Sequence, residues 1–295
     1  MTDTLSDLVL VDVFADHGPE LLPPDEAFLY ADDLGAIRGD GVFETLLVRQ
    51  GHTCNTARHE RRFLSSAHML ELPEPDLAQW RAATELAIAH LSARGITEDA
   101  TLRWVYSRGR ESTGVPTGYV LASSAAAIAA ARNRPVQVML AERGFTLDLG
   151  SRAPWVLIGA KTLSYAANMA ALRYAKSHGF DDVIFTSAEG KLLEGPTSTI
   201  VLVRGRELLT PNPGEGVLPG TTQAALFDVA AQRGWKVTET VLEPADLHTA
   251  DAVWLVSSVR IAVAVASVDG TPLAQLNPQA EAEFRQLCDA ALAAK

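Results

Sequence analysis

The stretch from Lys161 to Ile200, KTLSYAANMAALRYAKSHGFDDVIFTSAEGKLLEGPTSTI, constrains this chain more than any other. Its first residue is a lone lysine that follows the apolar run Trp155 to Ala160 and precedes an Ala-rich pattern of helical period. An ammonium at the end of an apolar strand is costly to bury, so the position implies a task. One task fits: a lysine whose pKa is lowered by burial forms a Schiff base with a carbonyl compound. Farther along, Glu194 lies in a Glu-Gly-Pro-Thr-Ser break between two short β patterns, where the backbone rather than solvent would aim the carboxylate.

Composition bounds the remaining choices. A chain of 295 residues can bury a substantial core in one large domain or two ordinary ones. Its 47% apolar and 21% charged residues suit a globular enzyme or binding protein. A formal net charge of −11 argues against nucleic acid or an anionic membrane as partner, because both need a basic footprint. An anionic substrate would then need a local basic pocket. Cys54 and Cys288 stand far apart, so neither a disulfide framework nor a zinc spacing is expected, and no metal is. With no Lys or Arg before Arg38 and no apolar run of membrane length, a cytoplasmic location is expected.

The periodicity predicts a strand at Leu8 to Phe14, a loop at His17 to Glu26, and a glycine-rich turn from Asp32 into the strand Val42 to Val48. Helices are predicted over Arg58 to Leu72 and Asp76 to Arg94, with His90 at a core edge, and a strand over Ala100 to Arg108. The Gly/Pro break that follows is read as a linker, dividing the chain into 1–109, 110–117 and 118–295. Beyond it, Tyr119 to Ser123, Val136 to Leu140 and Trp155 to Ala160 read as strands, with a helical turn at Ser124 to Ala131. Ser164 to His178 reads as a helix with Ser164 as its N-cap. Two hairpins are expected, Asp182 to Ser187 with Lys191 to Glu194 and Thr199 to Val203 with Glu207 to Thr210. A helix from Thr221 to Arg233, strands at Trp235 to Leu242 and Ala252 to Val256, and a last helix from Pro278 to Ala293 complete the pattern.

A lysine and a glutamate about thirty residues apart carry little on their own. Their neighbours carry more. Before them come RGDGVFETLLVRQG (Arg38 to Gly51) and RHERRFLSSAHML (Arg58 to Leu70); after them come GVLPGTTQ (Gly216 to Gln223) and WLVSSVR (Trp254 to Arg260). From about Arg38 to about Val268 this series resembles the fold-type IV, or class IV, pyridoxal phosphate family of aminotransferases and lyases. The resemblance implies an α+β fold of two domains like that of D-amino-acid aminotransferase, with a smaller N-terminal α/β domain and a larger cofactor-binding domain. It also implies pyridoxal 5'-phosphate on Lys161, Glu194 at the cofactor's ring nitrogen, and a homodimer.

Other roles follow from the same resemblance, each beside a plainer alternative. His59 to Ala67 matches the family's His-x-x-Arg helix, which implies that Arg62 binds the cofactor phosphate; a solvated basic helix start is the alternative. Tyr165 is implied as partner of the ring hydroxyl, with Asn168 as rival. The glycine turn into a helix at Thr221 and Thr222 offers free N–H groups and hydroxyls to a phosphate, or an ordinary threonine cap, and Leu218 is implied to pack on the ring. Ser258 falls in a second phosphate loop, where Val259 departs from the family's common Ser-Gly-Thr. Arg38, Phe43, Arg108 and Arg260 are candidates to meet the substrate, although arginines at strand ends also serve on open surfaces. The Arg38, Arg108 and Arg260 segments are most similar to those of aminodeoxychorismate lyases. A small anionic amine, 4-amino-4-deoxychorismate, is the expected substrate, with release of 4-aminobenzoate and pyruvate for folate synthesis. A D-amino-acid or branched-chain aminotransferase is the alternative.

Overall fold

The computed structural model describes residues 7–293. They form two compact units, 7–130 with 160–165, and 131–159 with 166–293.

The first unit contains β1 (Val9–Asp12), β2 (Glu20–Leu22), α1 (Leu34–Arg38), β3 (Gly41–Arg49), β4 (His52–Thr53), α2 (Thr56–Met69), α3 (Leu77–Ala93), β5 (Ala100–Ser107) and β6 (Thr117–Ser124), and α4 (Ala126–Ala131) leads out of it. Its strands form an antiparallel sheet in the order β2-β1-β6-β5-β3-β4. Helix α2 packs on β3, and α3 packs on β1 and β6. Where the helices meet the sheet, the rings of Phe63, Trp80 and Trp104 pack edge to face or tilted and are fully buried.

The residues after Gly159 return to this sheet. The Phe43 N–H donates to the Lys161 carbonyl at 3.0 Å and the Leu163 N–H to the Gly41 carbonyl at 2.8 Å, so the returning segment pairs with the start of β3. Gly41 makes the approach possible: a Cβ there would lie 2.7 Å from Leu163 Cδ1 and 2.6 Å from the Tyr106 carbonyl oxygen.

The second unit contains β7 (Val136–Glu142), α5 (Leu149–Arg152), α6 (Ala166–Ser177), β8 (Asp182–Thr186), β9 (Thr199–Arg204), β10 (Glu207–Pro211), α7 (Thr221–Gln232), β11 (Lys236–Thr240), α8 (Pro244–Thr249), β12 (Ala252–Ser257), β13 (Ile261–Val268), β14 (Thr271–Pro272) and α9 (Pro278–Ala293). Its mixed sheet runs β11-β10-β9-β12-β13-β7-β8, with β14 beside β13. Strand β12 is apolar on both faces because both are covered. Val253 and Leu255 enter a core with Leu202 and Leu247, while Trp254 stacks on Phe284 of α9 at 4.5 Å.

Several expectations change. The apolar run Trp155 to Ala160 is not a strand: Pro154–Val156 is a single 3₁₀ turn, and Leu157 sits at φ 59°. Proline opens that turn without an N–H to give to a ladder, and Trp155 is 77% exposed. Ser164 does not cap a helix; its hydroxyl donates to the Gly39 carbonyl at 3.3 Å, and α6 starts at Ala166. The loop expected at His17 to Glu26 contains β2, which pairs with β1. Helix α2 starts earlier, after Asn55, and stops before Glu71, whose φ is 51°. The turn before β3 holds α1, which starts where the Asp33 carboxylate accepts from the Gly35 and Ala36 N–H groups. The break at 110–117 does not divide the units, because β6 lies between β1 and β5 in the first sheet.

Candidate active site

Within the first unit, Lys161 is held by its main chain. Its N–H donates to Ser66 Oγ of α2 at 3.0 Å, and its carbonyl takes the Phe43 N–H. Its half-buried side chain reaches aromatic faces: Nζ lies 4.3 Å from the centroid of the Phe43 ring and 5.3 Å from that of Tyr165. Those two rings meet edge to face at 5.2 Å. Lys161, Phe43 and Tyr165, singled out from sequence, are therefore brought together.

Beside them is a polar cluster that joins His59 and Arg62 of the sequence motif to Glu44, which the sequence reading missed. Glu44 is fully buried on β3, and its carboxylate receives Arg62 Nε and Nη2 at 2.7 Å each and His59 Nδ1 at 2.7 Å. Burial alone would raise the Glu44 carboxyl, but the Arg62 guanidinium and the His59 ring overcome that and hold it at about 2. Burial also lowers the His59 pKa against the pull of Glu44, and Arg62 and Lys161 push the same way. The ring is then neutral at pH 7, with Nδ1–H donating to the carboxylate. A signal for Glu44 existed: Val42, Glu44, Leu46 and Val48 share one strand face, and one acid stands among apolar residues.

Two arginine candidates of this unit sit differently. Arg38 is exposed on α1. Arg108 donates through Nε to Asp40 at 2.7 Å and through Nη2 to the Leu70 carbonyl at 2.6 Å, past the end of α2.

Within the second unit, Glu194 is fixed at both oxygens. Arg143 Nη1 donates to Oε1 at 2.8 Å, and the Leu218 N–H donates to Oε2 at 3.0 Å. Arg143 carried no sequence signal; it ends up there because β7 runs parallel to β8 and the turn after it reaches Glu194. Helix α7 opens at Gly220, which has no side chain to cap the first N–H groups. Thr221 and Thr222 are buried in its first turn, and Thr221 Oγ1 lies 3.5 Å from Ser258 Oγ. Gln223 is also buried there, and its Nε2 finds no acceptor among the described residues. Asn168 Nδ2 is committed to the Pro196 carbonyl at 2.7 Å. Arg260 binds Asp182 at 2.7 Å and reaches Thr197 Oγ1 at 3.4 Å.

One unit thus offers an amine against two rings beside an arginine paired with a buried carboxylate; the other offers an anchored carboxylate and a helix start rich in donors. The model of the family described as amino-transferase class IV matches residues 41–268, a span that includes all these groups except Arg38 and Asp40. The chain belongs to amino-transferase class IV. Among its class IV relatives, the bifunctional aminodeoxychorismate lyase / D-amino acid transaminase of Mycobacterium tuberculosis is 46% identical over 281 residues, which are 92% of this chain and 96% of that protein. A hypothetical aminotransferase from Mycobacterium tuberculosis, solved in a PLP-bound form and in an alpha-ketoglutarate and PMP bound form, superposes with TM-score 0.91 at 45% identity, covering 96% of this chain and 98% of that one. A fold IV-transaminase from Curtobacterium pusillum superposes with TM-score 0.90 at 37% identity, covering 98% and 100%. The fold is the class IV fold, with mixed α and β content and two sheets. Among the described residues, no helix is long and apolar enough to cross a membrane.

Proposed function

We propose that this class IV protein is a pyridoxal-phosphate-dependent 4-amino-4-deoxychorismate lyase that also transaminates D-amino acids. The cofactor is pyridoxal 5'-phosphate, and the residues present suit it. The start of α7 has the donor set a phosphate needs: uncapped N–H groups, the buried hydroxyls of Thr221 and Thr222, and the unsatisfied Gln223 Nε2. Thr221, Thr222, Ser258 and Arg62 would hold the phosphate, Leu218 would pack on the ring, Glu194 would meet its nitrogen and Tyr165 its hydroxyl. Glu194 suits that role because Arg143 and the Leu218 N–H leave its carboxylate little freedom. Tyr165 is preferred to Asn168, whose amide is already spent on Pro196.

When bound, pyridoxal phosphate supplies an aldehyde for amine attachment and a ring that accepts the electron pair left when a proton departs the amine-bearing carbon. Lys161 Nζ is the attaching amine. Once a substrate amine takes its place, Nζ is the base that removes that proton. Phe43 and Tyr165 limit the directions in which Nζ can swing. Arg38, Arg108 and Arg260 are proposed to receive the substrate's carboxylates, Arg108 and Arg260 by sharing donors now given to Asp40 and Asp182. In the lyase reaction the same proton removal precedes cleavage of the carbon–oxygen bond to the enolpyruvyl group, giving pyruvate and 4-aminobenzoate. In transamination Nζ would instead return the proton on the cofactor side, and water would release a keto acid while the amino group stayed with the cofactor.

The observation that carries cofactor-dependent amine chemistry is Lys161 itself, pinned on both sides of its peptide with Nζ on two aromatic rings. The choice of substrates rests on the 46% likeness, over nearly both full lengths, to a protein named for both activities. Class membership also supports a homodimer, which light scattering on the purified protein would test. The decisive experiment follows the visible spectrum after pyridoxal phosphate is supplied, then adds D- and L-amino acids singly and 4-amino-4-deoxychorismate with detection of 4-aminobenzoate. A visible band, its conversion by D-amino acids and formation of 4-aminobenzoate are expected. Absence of any band would overturn the reading, and amino-acid conversion without 4-aminobenzoate would leave an aminotransferase alone.

A further inference from the structure

Helix α2 presents His59, Arg62 and Ser66 at positions i, i+3 and i+7, which is one face of a helix. All three point into the first unit: His59 and Arg62 meet Glu44 on β3, and Ser66, 1% exposed, accepts the Lys161 N–H at 3.0 Å. One rigid element therefore contacts both the buried ion cluster and the peptide of the lysine. Arg62 and Ser66 are four residues apart, so about 6 Å of helical rise separates the two attachments.

A buried serine hydroxyl that accepts from another segment's peptide is a specific arrangement. In a helix interior the serine hydroxyl more commonly turns back to its own helix's carbonyls. Here it takes an N–H that no ladder satisfies, since the returning segment pairs with β3 through the Lys161 carbonyl and the Leu163 N–H. On the β3 side the lysine's carbonyl is fixed; on the α2 side its nitrogen is fixed. The two peptide planes that flank the Cα of residue 161 are thereby both held, and with them the direction of its Cα–Cβ bond.

We propose that Ser66 is a positioning residue for Lys161: its hydroxyl orients the peptide that enters the lysine so that Nζ stays against the Phe43 and Tyr165 rings. The inference rests on the reading of Lys161 as the amine that takes the cofactor. Ser66 touches neither cofactor nor substrate and acts through the main chain of residue 161. Losing its acceptor leaves the fold intact, because alanine is at least as good a helix residue, but lets the lysine peptide rotate. Misplacement of a reacting group by about 1 Å costs on the order of 100-fold in rate.

The test compares Ser66→Ala and Ser66→Thr with the unaltered protein, in two readouts. The first is amide hydrogen exchange of the 160–165 segment in cofactor-free protein. The second is kcat and KM with a D-amino acid, together with the pH midpoint of the visible cofactor band. We expect Ser66→Ala to exchange the Lys161 amide at least about tenfold faster. It should also shift the midpoint and lower kcat by about 10- to 100-fold with KM nearly unchanged, and Ser66→Thr, which keeps the hydroxyl, should recover most of each. Ser66→Cys, close in volume with a weaker acceptor, reads the same quantities should the alanine variant fail to fold. Unchanged exchange and unchanged kcat in Ser66→Ala would overturn the proposal. An unaltered protein that forms no visible band would sink the cofactor reading instead, while the exchange readout would still decide what Ser66 does.

Discussion

Glu44 keeps a negative charge at a position with no exposure to water, and the free energy of doing so sets how the first unit responds to acid. Its folded pKa lies below the ordinary 4.5, so the stability it contributes is complete above about 4.5 and is lost as pH falls towards about 2. His59 acts in the same direction, since its ring is lowered from 6.5 and the unfolded chain takes up that proton first, from about pH 6.5 downward. Glu44→Gln should cost about 3 kcal/mol at neutral pH, because Arg62 loses the buried carboxylate that takes two of its N–H groups. It should also flatten the acid limb below about pH 4.5; urea unfolding across pH 2 to 7 measures both. Lys161→Ala should abolish turnover and the visible band while the thermal melt stays within a few degrees of the unaltered protein. A variant retaining near-normal rate would remove Lys161 from the chemistry. At this scale the sequence set Lys161 apart by its apolar surroundings, while Phe43 and Tyr165 were reached only through the family resemblance; the structure brings the three side chains together. It did not make Ser66 or Arg143 legible, since their partners lie 95 and 51 residues away in the chain. No local spacing encodes such a contact.

Elements whose pattern is local were read closely, and those that depend on partners were not. Helix α9 was expected over the residues it occupies, and α3 differs only by its two capping residues, Asp76 and Arg94. The β9–β10 hairpin also appears as expected, since a glycine turn between apolar runs specifies its own pairing. The run Trp155 to Ala160 failed because an apolar segment becomes a strand only beside an open ladder, and Pro154 opens a turn instead. Strand β13 escaped notice although it lies inside its sheet, between β12 and β7, because residues buried on both faces lack alternation. The start of α7 is an element whose use depends on close packing. A Cβ at Gly220 would sit 2.4 Å from Thr199 Oγ1 and 3.2 Å from Gln223 Cβ. Gly220→Ala should therefore push the first turn off the buried threonine, costing about 1–3 kcal/mol of stability, and weaken pyridoxal phosphate binding by about tenfold or more, an order-of-magnitude loss for disturbed N–H donors. Thr222→Val, which keeps the volume and removes one hydroxyl, should weaken binding with little loss of stability. Titration of the visible band against added cofactor distinguishes the two, and equal affinity in both variants would place the phosphate elsewhere.

For the whole molecule, the chain's own path decides where it can be divided. A boundary at 110–117 looks natural in sequence, where glycines and a proline follow a strand, yet β6 comes after it and pairs with β5 on one side and β1 on the other. A fragment ending at residue 112 would lose the strand that joins β1 and β2 to β5 and β3, and would expose β5 as an unpaired apolar edge. A fragment ending at residue 130 keeps all six strands of the sheet and lacks only the return of 160–165 along β3. The shorter fragment should aggregate or show no cooperative melt by circular dichroism. The longer one should fold with a lower midpoint than the intact chain, and supplying residues 160–165 through a short linker after residue 130 should raise that midpoint. Similar cooperative melts for both fragments would show that β6 is dispensable to the first sheet. The same path explains why Lys161 belongs to the first unit although the residues on both sides of its segment belong to the second: hydrogen bonds to β3 and to Ser66, rather than sequence neighbourhood, determine where a six-residue crossing packs.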